Sequence, residues 1–115
     1  MDAAAWRERL RPGPKLGGWS PLEWALLDAM LTRPGIALPL HVLMDAMWTA
    51  RGLEAPETAE VAIRVYVGRV RRGLNDMGLN PDAVVNDPPY AYGVNLDVLP
   101  TRPVRRPRYI ISLAC

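Results

Sequence analysis

The order of elements readable in this sequence predicts a mainly helical α+β domain, with a core of three helices followed by a β-hairpin. Three observations carry that expectation. Ser20-Pro21-Leu22-Glu23 is a complete helix-start signal, the stretch from Ile63 to Leu74 separates apolar from basic residues at helical spacing, and two short β-rich pieces flank Asn86-Asp87-Pro88-Pro89.

Asp2 ahead of Ala3 to Leu10 is a cap for a short N-terminal helix, stopped by Pro12-Gly13-Pro14. The alternative for residues 1–19 is a frayed arm. At Ser20 the signal is firmer, because a serine hydroxyl and a glutamate three residues later satisfy each other's free backbone N–H groups, and proline suits the first helical position. Trp24, Leu27 and Leu31, widened by Leu26 and Met30, then recur on one face until Arg33-Pro34-Gly35 ends the helix. After an extended Ile36-Ala37-Leu38, a second helix is expected from about Pro39 to Trp48, burying Leu40, Leu43, Met44, Met47 and Trp48. Arg51 to Pro56 reads as a loop, and the basic helix is expected from near Glu57 to about Asp76.

That last helix is the most informative part of the chain. At about 100° per residue, Ile63, Val67, Val70 and Leu74 fall on one stripe. The other side carries Val61, Arg64, Val65, Gly68, Arg69 and Arg72, with Arg71 at the margin, and no acidic residue stands between Val61 and Asn75. A basic helix face is more often a solvated surface than a binding site. Solvated helices, however, interleave both signs for i,i+4 support, whereas this face repels itself until an anion arrives. Gly68 costs roughly 1 kcal/mol relative to Ala in a helix and lets another backbone approach closely. Contact with nucleic acid is the reading that uses both features.

Met77 to Asp82 is turn chemistry, followed by Ala83-Val84-Val85, the Asn86-Asp87-Pro88-Pro89 turn, and Tyr90 to Leu96. The two prolines cannot donate ladder hydrogen bonds, so the hairpin tip is expected to be exposed. Three helices and then a hairpin is the winged helix-turn-helix order. Residues 97–115 form a Pro/Arg-rich tail with Arg102, Arg105, Arg106 and Arg108, then Tyr109 to Leu113, which reads as a strand able to join the hairpin or a second copy.

With 115 residues the chain has room for one domain and one core. Its net charge of +2 means that the basic character is local. Lys15 is the only lysine, and an arginine bias favours planar, bidentate contact with phosphate or guanine. The single cysteine, Cys115, allows no intrachain disulfide, and no apolar run is long enough to span a bilayer, so a cytoplasmic protein is expected.

These residues resemble the winged-helix effector domain of the OmpR/PhoB type, the DNA-binding half of many bacterial response regulators. Ser20 to Leu27 is similar to the family's Thr-Pro-x-Glu-aromatic-x-Leu-Leu entry, Pro34-Gly35 to its Asn/Lys-Pro-Gly, and Trp48 to its Leu-Trp helix end. Val65 to Leu74 resembles its recognition helix, Val-His/Tyr-Ile-x-Arg-Leu-Arg-Arg-Lys-Leu. The resemblance spans roughly residues 20–96. It implies that Arg69 and Val65 face base edges while Arg64, Tyr66, Arg71 and Arg72 hold phosphates. It also implies a bacterial or phage DNA-binding protein, with RNA polymerase and a second copy as possible partners.

Four features depart from the pattern. The family's four-stranded sheet ahead of the first helix has no room in residues 1–19, a stand-alone domain without a receiver is expected, and the loop before the basic helix is longer. The wing carries Asp87 and no cation, so minor-groove insertion does not transfer to it; Arg102, Arg105 and Arg106 of the tail are the candidates for the missing backbone contacts.

No catalytic set can be assembled, since Ser20 is a cap, Ser112 lies in an apolar piece and Cys115 is terminal. His41 has no other ligand-type residues at metal spacing, so neither metal nor cofactor is expected. Trp24 and Trp48 fall on apolar stripes and read as core; Trp6 and Trp19 are less constrained, and at least one of Tyr90 and Tyr92 is expected to pack on the helices. The leading expectation is a sequence-specific double-stranded-DNA-binding regulator of transcription, and not an enzyme. A protein-interaction module on the same scaffold is the alternative, and RNA binding lacks the interleaved exposed aromatics of single-strand readers.

Overall fold

The computed structural model describes residues 1–15 and 17–101. Asp2 begins α1 (Ala3–Leu10), its carboxylate accepting from the Ala5 N–H at 2.9 Å. Ser20 begins α2 (Pro21–Thr32) with the expected reciprocal cap: the Ser20 hydroxyl accepts from the Glu23 N–H at 3.2 Å, and the Glu23 carboxylate from the Ser20 N–H at 3.1 Å. A third helix, α3 (Leu40–Met47), runs into a 3-10 turn at Thr49–Arg51, which closes on Gly52 at φ +74°. The basic helix, α4, spans Ala59–Asp76, two residues shorter at its start than expected because Glu57 and Thr58 form a turn.

After a second 3-10 turn at Pro81–Ala83, β1 (Val84–Asp87) and β2 (Ala91–Val94) make the antiparallel wing, with Val84 opposite Val94 and Asp87 opposite Ala91. The expected turn over Asn86–Pro89 is thus tighter, since Asn86 and Asp87 are still paired. Pro88 and Pro89 form the exposed tip. The extended segment before α3 completes the sheet on its other side. The Leu38 N–H donates to the Tyr92 carbonyl at 2.8 Å, the Tyr92 N–H to the Leu38 carbonyl at 3.1 Å, and the Gly35 N–H to the Val94 carbonyl at 2.8 Å. Gly93 permits this approach, because a Cβ there would stand 2.4 Å from the Ile36 carbonyl oxygen.

The architecture is a winged helix-turn-helix. Leu26, Leu27, Met30 and Leu31 of α2 meet Leu43 and Met47 of α3 and Ile63, Val67, Val70 and Leu74 of α4, with Val84, Tyr92 and Val94 closing the core from the sheet. Tyr92 is therefore the packing aromatic of the hairpin. Each fully buried Leu or Val contributes roughly 1.5–3 kcal/mol, so the apolar stripes decide which way every helix faces.

The core extends past both edges of residues 20–96. Trp6 and Leu10 of α1 are 2% and 0% exposed, and Arg7 pairs with Asp28 of α2, so the N-terminal segment is a packed helix where a frayed arm was the alternative. At the other end Leu99 is fully buried, and its carbonyl accepts from the Asn80 N–H at 3.0 Å. The expected tail arginines Arg102, Arg105, Arg106 and Arg108 and the expected strand from Tyr109 to Leu113 lie outside the described residues.

Candidate nucleic-acid interface

Helix α4 is amphipathic as its periodicity requires. Ile63, Val67, Val70, Gly73 and Leu74 are buried, which turns Val61, Arg64, Val65, Arg69 and Arg72 outward. Val61 and Val65 are 52% and 48% exposed on the same outward face. None of Arg64, Arg69 and Arg72 forms an ion pair among the described residues, where Arg7 with Asp28 and Arg11 with Glu8 are the pairs present. The outward face therefore keeps its charge unneutralised.

Arg69 is not loose. Its guanidinium lies over the Tyr66 ring, 5.2 Å from the centroid, a cation–π contact that restricts where the planar group points. Tyr66 itself is half-buried, so its ring is a shelf resting on the body of the domain. At Gly68 the helix surface is bare, and a Cβ there would meet nothing within 4 Å. A close approach by another molecule is sterically open at this point.

Arg71, at the margin of the basic face in the sequence and a phosphate contact by resemblance, is not free like the other three. It is half-buried, and its Nε and Nη2 donate to the Val84 carbonyl at 3.2 and 2.7 Å. The hairpin geometry explains the partner. The Asn95 N–H donates to the Ala83 carbonyl at 2.8 Å, so Val84, the next residue, turns its own carbonyl away from β2. Arg71 covers that outward oxygen and ties the base of the wing to α4.

Trp19 and Gly73 carry a role that sequence reasoning missed. The Trp19 indole occupies the place of a residue-73 side chain: a Cβ on Gly73 would stand 2.3 Å from its Cζ3 and 2.6 Å from its Cη2. The indole N–H donates to the Leu10 carbonyl at 2.7 Å. A glycine on the buried stripe of an otherwise good helix was the available signal, because it demands a partner that comes unusually near. Trp6 is likewise core, with the Arg9 guanidinium 5.0 Å from its ring centroid.

The remaining sequence candidates are placed as follows. Trp48 is buried, whereas Trp24 is half-buried and walls an open cleft of about 610 Å³ between α2 and α3. His41 is exposed on α3. Along the wing, Val85, Asn86 and Asp87 are exposed and no cation stands between Val84 and Val94. No helix among the described residues is long and apolar enough to cross a membrane.

No family model and no solved structure matches the chain. Over 71 residues, 62% of its length, it is 39% identical to the regulatory protein AfsR of Streptomyces coelicolor. The chain covers only 6% of that much longer protein. What the comparison establishes is that 62% of this chain is similar to a small part of a bacterial regulatory protein.

Proposed function

We propose that this chain binds double-stranded DNA in a sequence-dependent way, laying α4 in the major groove, and thereby regulates transcription. The observation that carries the proposal is the outward face of α4: Arg64, Arg69 and Arg72 lack carboxylate partners among the described residues and stand beside exposed Val61 and Val65, while the reverse stripe is anchored in the core. A major groove about 12 Å wide admits a helix with such a surface. The likeness to a regulatory protein supports the same reading.

Each group has a role suited to its chemistry. A guanidinium held over a ring loses less freedom on contact, which supports base readout by Arg69 through guanine O6 and N7. The Val65 methyls suit the thymine methyl group. Arg64 and Arg72 suit phosphates, Tyr66 holds Arg69 in place, and Gly68 lets the helix surface sink towards the groove. Arg71 retains donors beyond the two used on Val84, so a phosphate contact is compatible with its tie to the wing. Arg102, Arg105 and Arg106, outside the described residues, remain proposed backbone contacts. Pairing of two copies on repeated half-sites and contact with RNA polymerase belong to the same proposal.

The test is selection of a target from random duplexes, followed by titration of variants at several salt concentrations. Arg69→Ala is expected to lose about 1–3 kcal/mol of discrimination at its base pair. Arg72→Ala is expected to weaken all sequences alike and to lower the salt slope by about 0.9. Parental binding by both variants refutes the assignment to α4. Absence of any mobility shift at low salt points instead to a protein-interaction module.

A further inference from the structure

We propose that Val61 is a further base-reading residue of α4, and that it reads the C5-methyl group of a pyrimidine, thymine or 5-methylcytosine, about two base-pair steps from the one that Val65 meets. The inference rests on α4 being the DNA-facing helix and adds a residue to its readout.

Wound at about 100° per residue, Val61, Val65, Gly68 and Arg72 fall within a sector about 60° wide, opposite the buried stripe of Ile63, Val67, Val70 and Leu74. Arg64 and Arg69 flank this line, one on either side. A helix laid in a groove turns the middle of its outward face to the floor, where the base edges are, and its flanks to the phosphate walls. The two exposed valines therefore face bases. Glu60 stands about 100° round from Val61 and is half-buried, so it lies off the line. No cation stands between Ala59 and Ile63, which leaves an apolar contact as the one this end of the outward face can offer.

The chemistry of the side chain selects its target. An isopropyl group neither donates nor accepts, so against the polar atoms of a base edge it displaces water and returns no hydrogen bond. The pyrimidine C5-methyl is the apolar group that a base pair presents in the major groove, and cytosine carries it only when methylated. A β-branched side chain in a helix keeps essentially one χ1 rotamer, so the valine methyls are positioned before contact and lose little freedom on making it. The same branching lowers helix propensity, and Val61 and Val65 lie outside the core whose packing would offset that cost. Four helical residues advance about 6 Å and a base step about 3.4 Å, so methyls two steps apart match the valine pair. Gly68, next on the line, has open space around it and no side chain to hold the helix off the groove floor.

A site is selected from random duplexes with the full chain, and each thymine in it is replaced singly by deoxyuridine, which removes the methyl and keeps every hydrogen-bonding group. Binding is followed by fluorescence anisotropy. The parent is expected to weaken about fourfold at two positions about two steps apart, the value of one buried methylene-sized group. Val61→Ala is expected to abolish the loss at one of them while its salt slope stays parental, and Val65→Ala to abolish it at the other. At the Val61 position, 5-methylcytosine is expected to bind about fourfold tighter than cytosine, a difference that Val61→Ala removes. Deoxyuridine losses that are the same in Val61→Ala as in the parent, equal binding of cytosine and 5-methylcytosine, or a selected site without thymine overturns methyl reading by Val61; a lowered salt slope in Arg64→Ala then leaves the α4 assignment standing. A parental slope in both Arg64→Ala and Arg72→Ala, or no binding by the parent at low salt, overturns both.

Discussion

Replacing Arg71 by Met separates the two jobs this residue could do. The thioether keeps most of the aliphatic stem and removes every donor, so the outward Val84 carbonyl loses bonds of 3.2 and 2.7 Å from a charged group. Hydrogen bonds to charged groups contribute about 1.5–3 kcal/mol; at this half-buried position water can partly replace the donor, which sets the expected loss near the lower end, about 1.5 kcal/mol. For a domain of this size 1 kcal/mol corresponds to about 4–8 °C in Tm, so a fall of about 6–12 °C is expected in thermal unfolding followed by circular dichroism. Hydrogen exchange at the base of the wing, around Val84 and Val94, should accelerate as well. An exposed arginine that only awaited phosphate would leave stability within about 0.5 kcal/mol and show its loss in the salt slope alone. A Tm within about 2 °C of the parent, with unchanged exchange at Val84, refutes the tie between α4 and the wing.

Two glycines of α4 are expected to respond to alanine with opposite signs. Gly68→Ala gains helix propensity with nothing within 4 Å to obstruct it, so Tm should rise by the equivalent of about 1 kcal/mol, while duplex binding weakens if the bare surface admits DNA; stability and affinity measured on the same variant check this. Gly73→Ala gains the same propensity but places a methyl inside the Trp19 ring, 2.3 Å from Cζ3. Overpacking near the top of its roughly 1–3 kcal/mol range and the lost Trp19 bond of about 1 kcal/mol outweigh that gain, for a net loss of about 3 kcal/mol and a shifted tryptophan emission.

Much of the fold is local in origin and was accordingly legible. The Ser20–Glu23 cap, the proline at the first turn of α2, the stripes of α4 and the turn residues of the wing all act within a few residues of one another, so composition and spacing are enough to place them. Local signals also identify which side of α4 faces outward, because burial of Ile63, Val67, Val70 and Leu74 leaves Arg64, Arg69 and Arg72 no other direction. Boundaries were less legible: Glu57 and Thr58 look helical in composition but form a turn, and Asn86 and Asp87 look like a turn but pair with Tyr92 and Ala91.

Sequence by itself therefore determined the helices, the hairpin and the orientation of the basic face. Tertiary structure alone decided that Arg71 caps Val84, that Trp19 fills the space above Gly73, and that α1 belongs to the core. The physical reason is the range of the interactions. Caps and periodicity are satisfied along one stretch of chain, whereas a carbonyl turned outward from a strand or a bare patch on a helix finds its partner only after distant segments have packed.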